Sequence, residues 1–137
     1  MKVTYADMTN TIMQKNEILE GLKLPIRFGL RMVAGIRKAQ EYAADFETIR
    51  QGIIKEYDIR QVNDTMPEEE KAEAIAHNEK VLPEANAKII EALNQSITID
   101  FIPFQLDKFK EEELAKLADI PVKILDATWW MWKVNDE

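Results

Sequence analysis

This sequence predicts a mainly α fold, a long-helix bundle with a small two-stranded β element. Three observations predict it. Apolar residues recur at steps of three and four through most of the first 94 positions. No proline interrupts the stretch between Pro25 and Pro67. The helical period then gives way to strict alternation at SITIDF, residues 96–101, which reads as a strand.

The bulk numbers agree with a folded chain. Of 137 residues, 46% are apolar and 31% charged, too apolar for a disordered polymer. Four glycines, five prolines and no cysteine exclude a collagen-like or disulfide-stapled chain. Internal repeats and Ser/Gly linkers are missing, so residues 1–137 read as a single helical domain.

The elements follow in order. Met1, Val3 and Tyr5 alternate with Lys2 and Thr4, a short strand that is the natural partner for SITIDF. Thr4 or Asp7 caps a first helix running to about Gly21, with Met8, Ile12, Ile18, Leu19 and Leu22 as its apolar stripe. Lys23-Leu24-Pro25 breaks it, and Pro25 suits the first turn of the next helix. That helix extends to about Tyr57. Ile36, Ala39, Ala43, Phe46, Ile53 and Tyr57 line one face, and Arg50 interrupts the phase. Its length would be ~50 Å, against a radius of gyration of ~14 Å for a chain this size. It therefore kinks, at Gly35 or Gly52, or projects into a partner subunit. Gly35, Ala39 and Ala43 would let another helix approach closely, within the monomer or across a dimer.

Pro67 opens a third helix with Glu68, Glu69 and Glu70 at the positive end of its dipole. Pro83 predicts a kink or two abutting helices ending near Asn94. Ile75, Val81, Leu82, Ile89, Ile90 and Leu93 are its expected core residues. After the strand, residues 110–118 form a short helix. A further helix spans Ile120 to Met131, although PVKI also reads as a strand.

Most catalytic chemistry finds no foothold. Without Cys there is no thiol nucleophile, zinc finger or iron–sulfur cluster. The one histidine, His77, has Glu73 four residues back on its helix face, but the H-E-x-x-H and Glu-x-x-His repeats of a metal site are missing, and it reads as a surface helix residue. Phosphate-binding glycine loops and the nucleophile elbow are missing. Glu17 and Glu20 match the first half of a pyrophosphatase carboxylate pattern, but no second half follows. No metal or cofactor is expected, and the chain is read as non-enzymatic.

Charge and aromatic placement say more. The net charge of −7 opposes non-specific nucleic-acid binding. Yet Lys23, Arg27, Arg31, Arg37 and Lys38 form an acid-free stretch, while Asp64 to Glu79 carries six acids against Lys71. Arg27, Arg31 and Lys38 share one helix face. They either meet the acidic stretch as a complementary rim, build an anion pocket through bidentate guanidinium contacts, or dock an acidic partner. The tail places Trp129, Trp130 and Trp132 within four residues. Three indoles cannot all point inward from so short a segment, so at least one is expected to be exposed or covered by another chain. They close the core, anchor a partner, or offer a stacking surface whose only neighbouring cation is Lys133.

The Leu24-Pro25 break, the long helix closing on IIKEYD (53–58), the acidic EEEKAEAIAHNEKV (68–81) and the switch to SITIDF together resemble a group of small helical accessory proteins of Gram-positive phages and prophages. The resemblance covers about 100 residues and implies a viral accessory protein. It carries over no catalytic residues, and the WWMW tail departs from the pattern.

The expectation is a homo-oligomeric phage or prophage interaction protein. It would bind a host macromolecule to blunt host defence, with Trp129, Trp130 and Trp132 as anchors and Arg27 and Arg31 as positioners. The alternatives are an oligomeric sponge holding an anionic nucleotide-like ligand on Arg27, Arg31 and Lys38, and a virion-assembly accessory protein. MKVTYADMTN lacks the apolar stretch of a signal peptide and no window could span a bilayer, so the host cytoplasm is the expected location and no membrane the expected setting.

Overall fold

A computed structural model describes residues 1–21, 24 and 26–133, without the side chains of Asp107 and Lys133. Leu22, Lys23 and Pro25, read above as part of the apolar stripe, the basic stretch and a helix opening, lie outside the described residues. The protein is mainly α: 71% of the described residues are helical, in six α-helices and two short 3₁₀ turns, with a small antiparallel sheet. No helix among them is long and apolar enough to cross a membrane.

The chain forms two compact units. Residues 1–44 and 96–137 make the first, and residues 45–95 the second. The second is inserted between two halves of the first, so neither boundary is marked by a linker composition.

In the first unit, β1 (Lys2–Thr4) pairs antiparallel with β2 (Ser96–Thr98), placing Val3 opposite Ile97. The alternation in both segments predicts this pairing, and the Ile99 N–H extends it by donating to Met1 O at 2.9 Å. Thr4 caps α1 (Tyr5–Met13): its hydroxyl accepts the Asp7 N–H, and the Asp7 carboxylate accepts the Thr4 N–H at 2.8 Å. Both expected capping residues act together.

The expected single first helix is two, α1 and α2 (Lys15–Gly21), parted at Gln14. Thr11 supplies a reason. Its hydroxyl lies 3.0 Å from the Asp7 carbonyl four residues back, a contact that bends helices. The same hydroxyl reaches Ala127 O at 2.6 Å.

The long helix α3 (Ile26–Glu56) is one element, with no break at Gly35 or Gly52. Its first part belongs to the first unit. Ile36 and Ala39 are buried there, as the periodicity predicts, and Phe28 and Met32 extend the same buried face towards the start of the helix. At Gly35 the close approach is made by Met131, whose Cε would stand 2.6 Å from an added Cβ.

Beyond β2 the chain adds β3 (Phe104–Gln105), a 3₁₀ turn at Leu106–Lys108, α5 (Glu111–Leu117) and α6 (Val122–Ala127). A second 3₁₀ turn at Trp129–Met131 leads into β4 (Trp132–Lys133). The expected helix from Ile120 to Met131 is thus α6 followed by a tighter turn, with Pro121 before the helix and PVKI not a strand. The parallel pairing of β3 with β4, Phe104 opposite Trp132, was not expected. Two-residue strands carry too little alternation to be read from sequence.

The second unit is a helical hairpin. The later part of α3 contributes Phe46 and Ile53 to its interior. The helix stops at Asp58, which takes φ 50. Asp58 N–H donates to Lys55 O and Ile59 N–H to Ile54 O, the paired bonds of a left-handed C-cap in which aspartate replaces the usual glycine. After the connection, α4 (Glu68–Leu93) continues through Pro83 as one helix rather than two abutting ones.

The buried residues of α4 are Ala74 and Ala85, whereas Ile75 and Ile90 are 41% and 57% exposed. Of the expected core residues, Val81, Leu82, Ile89 and Leu93 are half-buried, and Ile75 and Ile90 are corrected to exposed positions. Weighting by side-chain size overlooks alanines, which let a neighbouring helix approach closely. Asn78 ties the connection to α4: Oδ1 accepts Arg60 N–H at 2.9 Å and Nδ2 donates to Arg60 O at 2.8 Å. His77 Nε2 sits 3.1 Å from Tyr57 O.

Arg50, the break in the apolar phase, instead grips Glu47 with both arms of its guanidinium, at 2.9 and 2.7 Å. That grip, with a further bond from Gln51, holds the Glu47 carboxyl down from 4.5 to about 2. The folded value lies below the unfolded one, so the pair stabilises the fold above about pH 4.5 and loses that contribution as pH falls towards 2. Both groups are exposed, so the effect is small. Thermal melts at pH 5, 3 and 2 should show a shallower acid-side loss in Arg50→Gln than in the parent. Equal slopes would show that the pair contributes nothing.

Candidate functional site

Two features of the first unit stand out. The first is a cationic pocket of about 400 Å³, lined by Arg27, Leu30 and Arg31 of α3 and by Ile102, Pro103, Phe104, Gln105, Lys108 and Phe109. Arg27 and Arg31 are one helical turn apart, which brings their side chains to one place on the surface. Lys108 faces them from the turn after β3. Among the described lining residues there is no acid.

Aromatic rings set the guanidinium planes. Arg27 lies over the Phe109 ring at 4.7 Å, and Phe109 stacks on Phe28 at 3.9 Å. Arg31 lies 5.4 Å from the Phe104 ring and 5.9 Å from Phe101, and it donates to Ile102 O. Such contacts hold a flat cation in place while leaving most of its five donors directed outward. Arg27 has one internal counter-charge, Glu113 of α5, at 3.7 Å. The side chains of Leu30 and Ile102 are exposed and give the pocket an apolar lip. The volume falls within the usual range for small-molecule sites.

The sequence grouped Arg27, Arg31 and Lys38. The structure brings the first two together and leaves Lys38 out of the pocket, paired with Glu41 at 3.7 Å. Its place is taken by Lys108. Sequence reasoning missed Lys108, Phe104 and Phe109 because they come from an irregular segment with no period to read. The spacing of aromatics around a lysine in FIPFQLDKF was the available signal.

The second feature is the tryptophan cluster. All three indole N–H groups are bonded: Trp129 to Asp7 Oδ1 at 3.1 Å, Trp130 to Thr11 Oγ1 at 3.0 Å, and Trp132 to Thr128 Oγ1 at 3.0 Å. The two acceptor threonines are fully buried, and each also donates to the carbonyl four residues back, Thr11 within α1 and Thr128 at the end of α6. Trp130 is 1% exposed and meets Phe101 edge-on at 4.9 Å. Trp132 is half-buried against Phe104 at 4.8 Å.

Trp130 is therefore a core residue, not the surface anchor expected of it: its ring fills the interior and its one polar atom is satisfied there. Trp129, 49% exposed, presents an open face, as the argument that three indoles cannot all turn inward requires. It borders an apolar groove with Leu106, Leu117, Ile120, Leu125 and Trp132.

Compared with family models, curated proteins and solved structures, the chain matches none.

Proposed function

We propose that this chain is a non-enzymatic binding protein that sequesters a small anionic, nucleotide-like ligand in the Arg27–Arg31–Lys108 pocket. The observation that carries the reading is the convergence of three cations on a partly apolar, aromatic-backed pocket within one chain. Guanidinium forks suit phosphate oxygens, and the ring-backed wall suits the flat part of such a ligand. The resemblance to phage accessory proteins supplies a use: withdrawing a host nucleotide from a defence response.

A second reading, docking of a host macromolecule, is favoured by the exposed Trp129 face beside its apolar groove.

The pocket reading is tested with mono-, di- and cyclic nucleotides in a thermal-shift assay. A ligand at a hundred times its Kd stabilises by about 2.7 kcal/mol, which for a chain of this length is a rise of about 9 °C. The double variant Arg27→Gln/Arg31→Gln should bind at least ~10-fold more weakly, with its unliganded melting point close to the parent's. Recovered ligand should be chemically unchanged. A flat response across the panel would show that the pocket holds no nucleotide.

A further inference from the structure

The pocket's charge arrangement allows its ligand to be specified more closely, an inference that rests on the anion reading above. Three cations reach it from two segments, Arg27 and Arg31 from α3 and Lys108 from the turn after β3. Beside them stands one carboxylate, Glu113, whose side chain is 18% exposed. Its Oε1 is 3.7 Å from Arg27 Nη1 and also accepts the Lys110 N–H at 3.3 Å, which fixes its position. Among the described side chains, two positive charges are left without a counter-charge.

We propose that the pocket takes a phosphomonoester dianion carried on a flat ring, and that Glu113 is the internal anion with which the ligand competes for Arg27. A phosphomonoester near neutral pH carries a charge of about −1.5 to −2 and presents three terminal oxygens. That matches both the residual charge and the number of cationic side chains. A cyclic phosphodiester carries one charge and two free oxygens, and leaves one cation unanswered. The flat ring lies against the apolar lip of Leu30 and Ile102, beside the rings that hold the guanidiniums. Glu113 weakens every anion and weakens a dianion most, because its repulsion scales with ligand charge.

The test uses isothermal titration of the full chain with adenosine 5′-monophosphate, its 3′,5′-cyclic phosphodiester and inorganic phosphate. The monoester should bind at least ~10-fold more tightly than the cyclic diester, the gain expected when a second charge-assisted contact is made. Inorganic phosphate should bind more weakly than the monoester, since it lacks the ring.

Lowering the pH from 7.5 to 5.5 should weaken the monoester about fourfold, as its second pKa of about 6 is crossed. The cyclic diester, whose charge does not change, serves as the control and should stay within about twofold. Glu113→Gln should tighten the monoester by at least about threefold and the diester by less.

Equal affinity for monoester and diester, or parallel pH responses, would overturn the dianion assignment while leaving the anion pocket standing. Unchanged or weaker monoester binding in Glu113→Gln would overturn the competing role of Glu113. Failure of all three probes would overturn the anion reading itself. A phosphotyrosine peptide that outbinds the nucleotide would overturn the small-molecule assignment.

Discussion

Trp130→Ala is expected to cost about 3–5 kcal/mol of stability, the range for deleting a large buried aromatic. The side chain is 1% exposed, packs edge-on against Phe101, and donates to a fully buried hydroxyl. Removing it opens a cavity and withdraws the indole donor from Thr11, which links α1 to the end of α6 through Ala127 O. Trp130→Phe separates the two effects. It keeps a six-membered ring in the core but loses the indole N–H and the pyrrole part of the ring, so its cost should be smaller, about 2 kcal/mol. Equilibrium unfolding in urea measures both. A loss below about 1 kcal/mol for the alanine variant would show that the indole is not a core element.

The second large effect is expected at Gly35. A Cβ added there would stand 2.6 Å from Met131 Cε and 2.8 Å from its Sδ, and Met131 is fully buried. Gly35→Ala is close to a balance. A helix interior gains about 1 kcal/mol from the exchange, and the flexible methionine can shift at a similar cost. Gly35→Val adds two further methyls with little rotamer freedom, and should cost about 1–3 kcal/mol. Shortening the opposing side chain should return much of it. In a double-mutant cycle with Met131→Ala, the two substitutions should couple by at least about 1 kcal/mol. Additive costs would show that Met131 does not pack on this turn of α3.

Much of the fold was legible in the sequence because periodicity reports burial. Ile36, Ala39, Phe46 and Ile53 are buried along α3 as their spacing requires, and the alternation around Val3 and Ile97 gave the antiparallel pair. The misses have physical causes. Thr11 divides the first helix through hydrogen bonds to its own helix and to a residue 116 positions away, which no local pattern encodes. The fully buried residues of α4 are alanines, Ala74 and Ala85, while Ile75 and Ile90 are exposed. Trp130 was expected as an anchor because the buried Thr11 that accepts its N–H lies 119 positions away in the chain.

The candidate site was half legible. Arg27 and Arg31 follow from helical spacing, whereas Lys108 and its aromatic neighbours depend on where an irregular segment folds back.

The pairing of Lys2 with Thr98 has a consequence for biosynthesis. At translation speeds of roughly 5–20 residues per second, the opening strand waits on the order of 5–20 s for its complement to be made. Meanwhile the inserted hairpin has been completed and can fold from contacts close in sequence. The inserted hairpin can thus form before the sheet that flanks it, and β1 is secured only once β2 has been made.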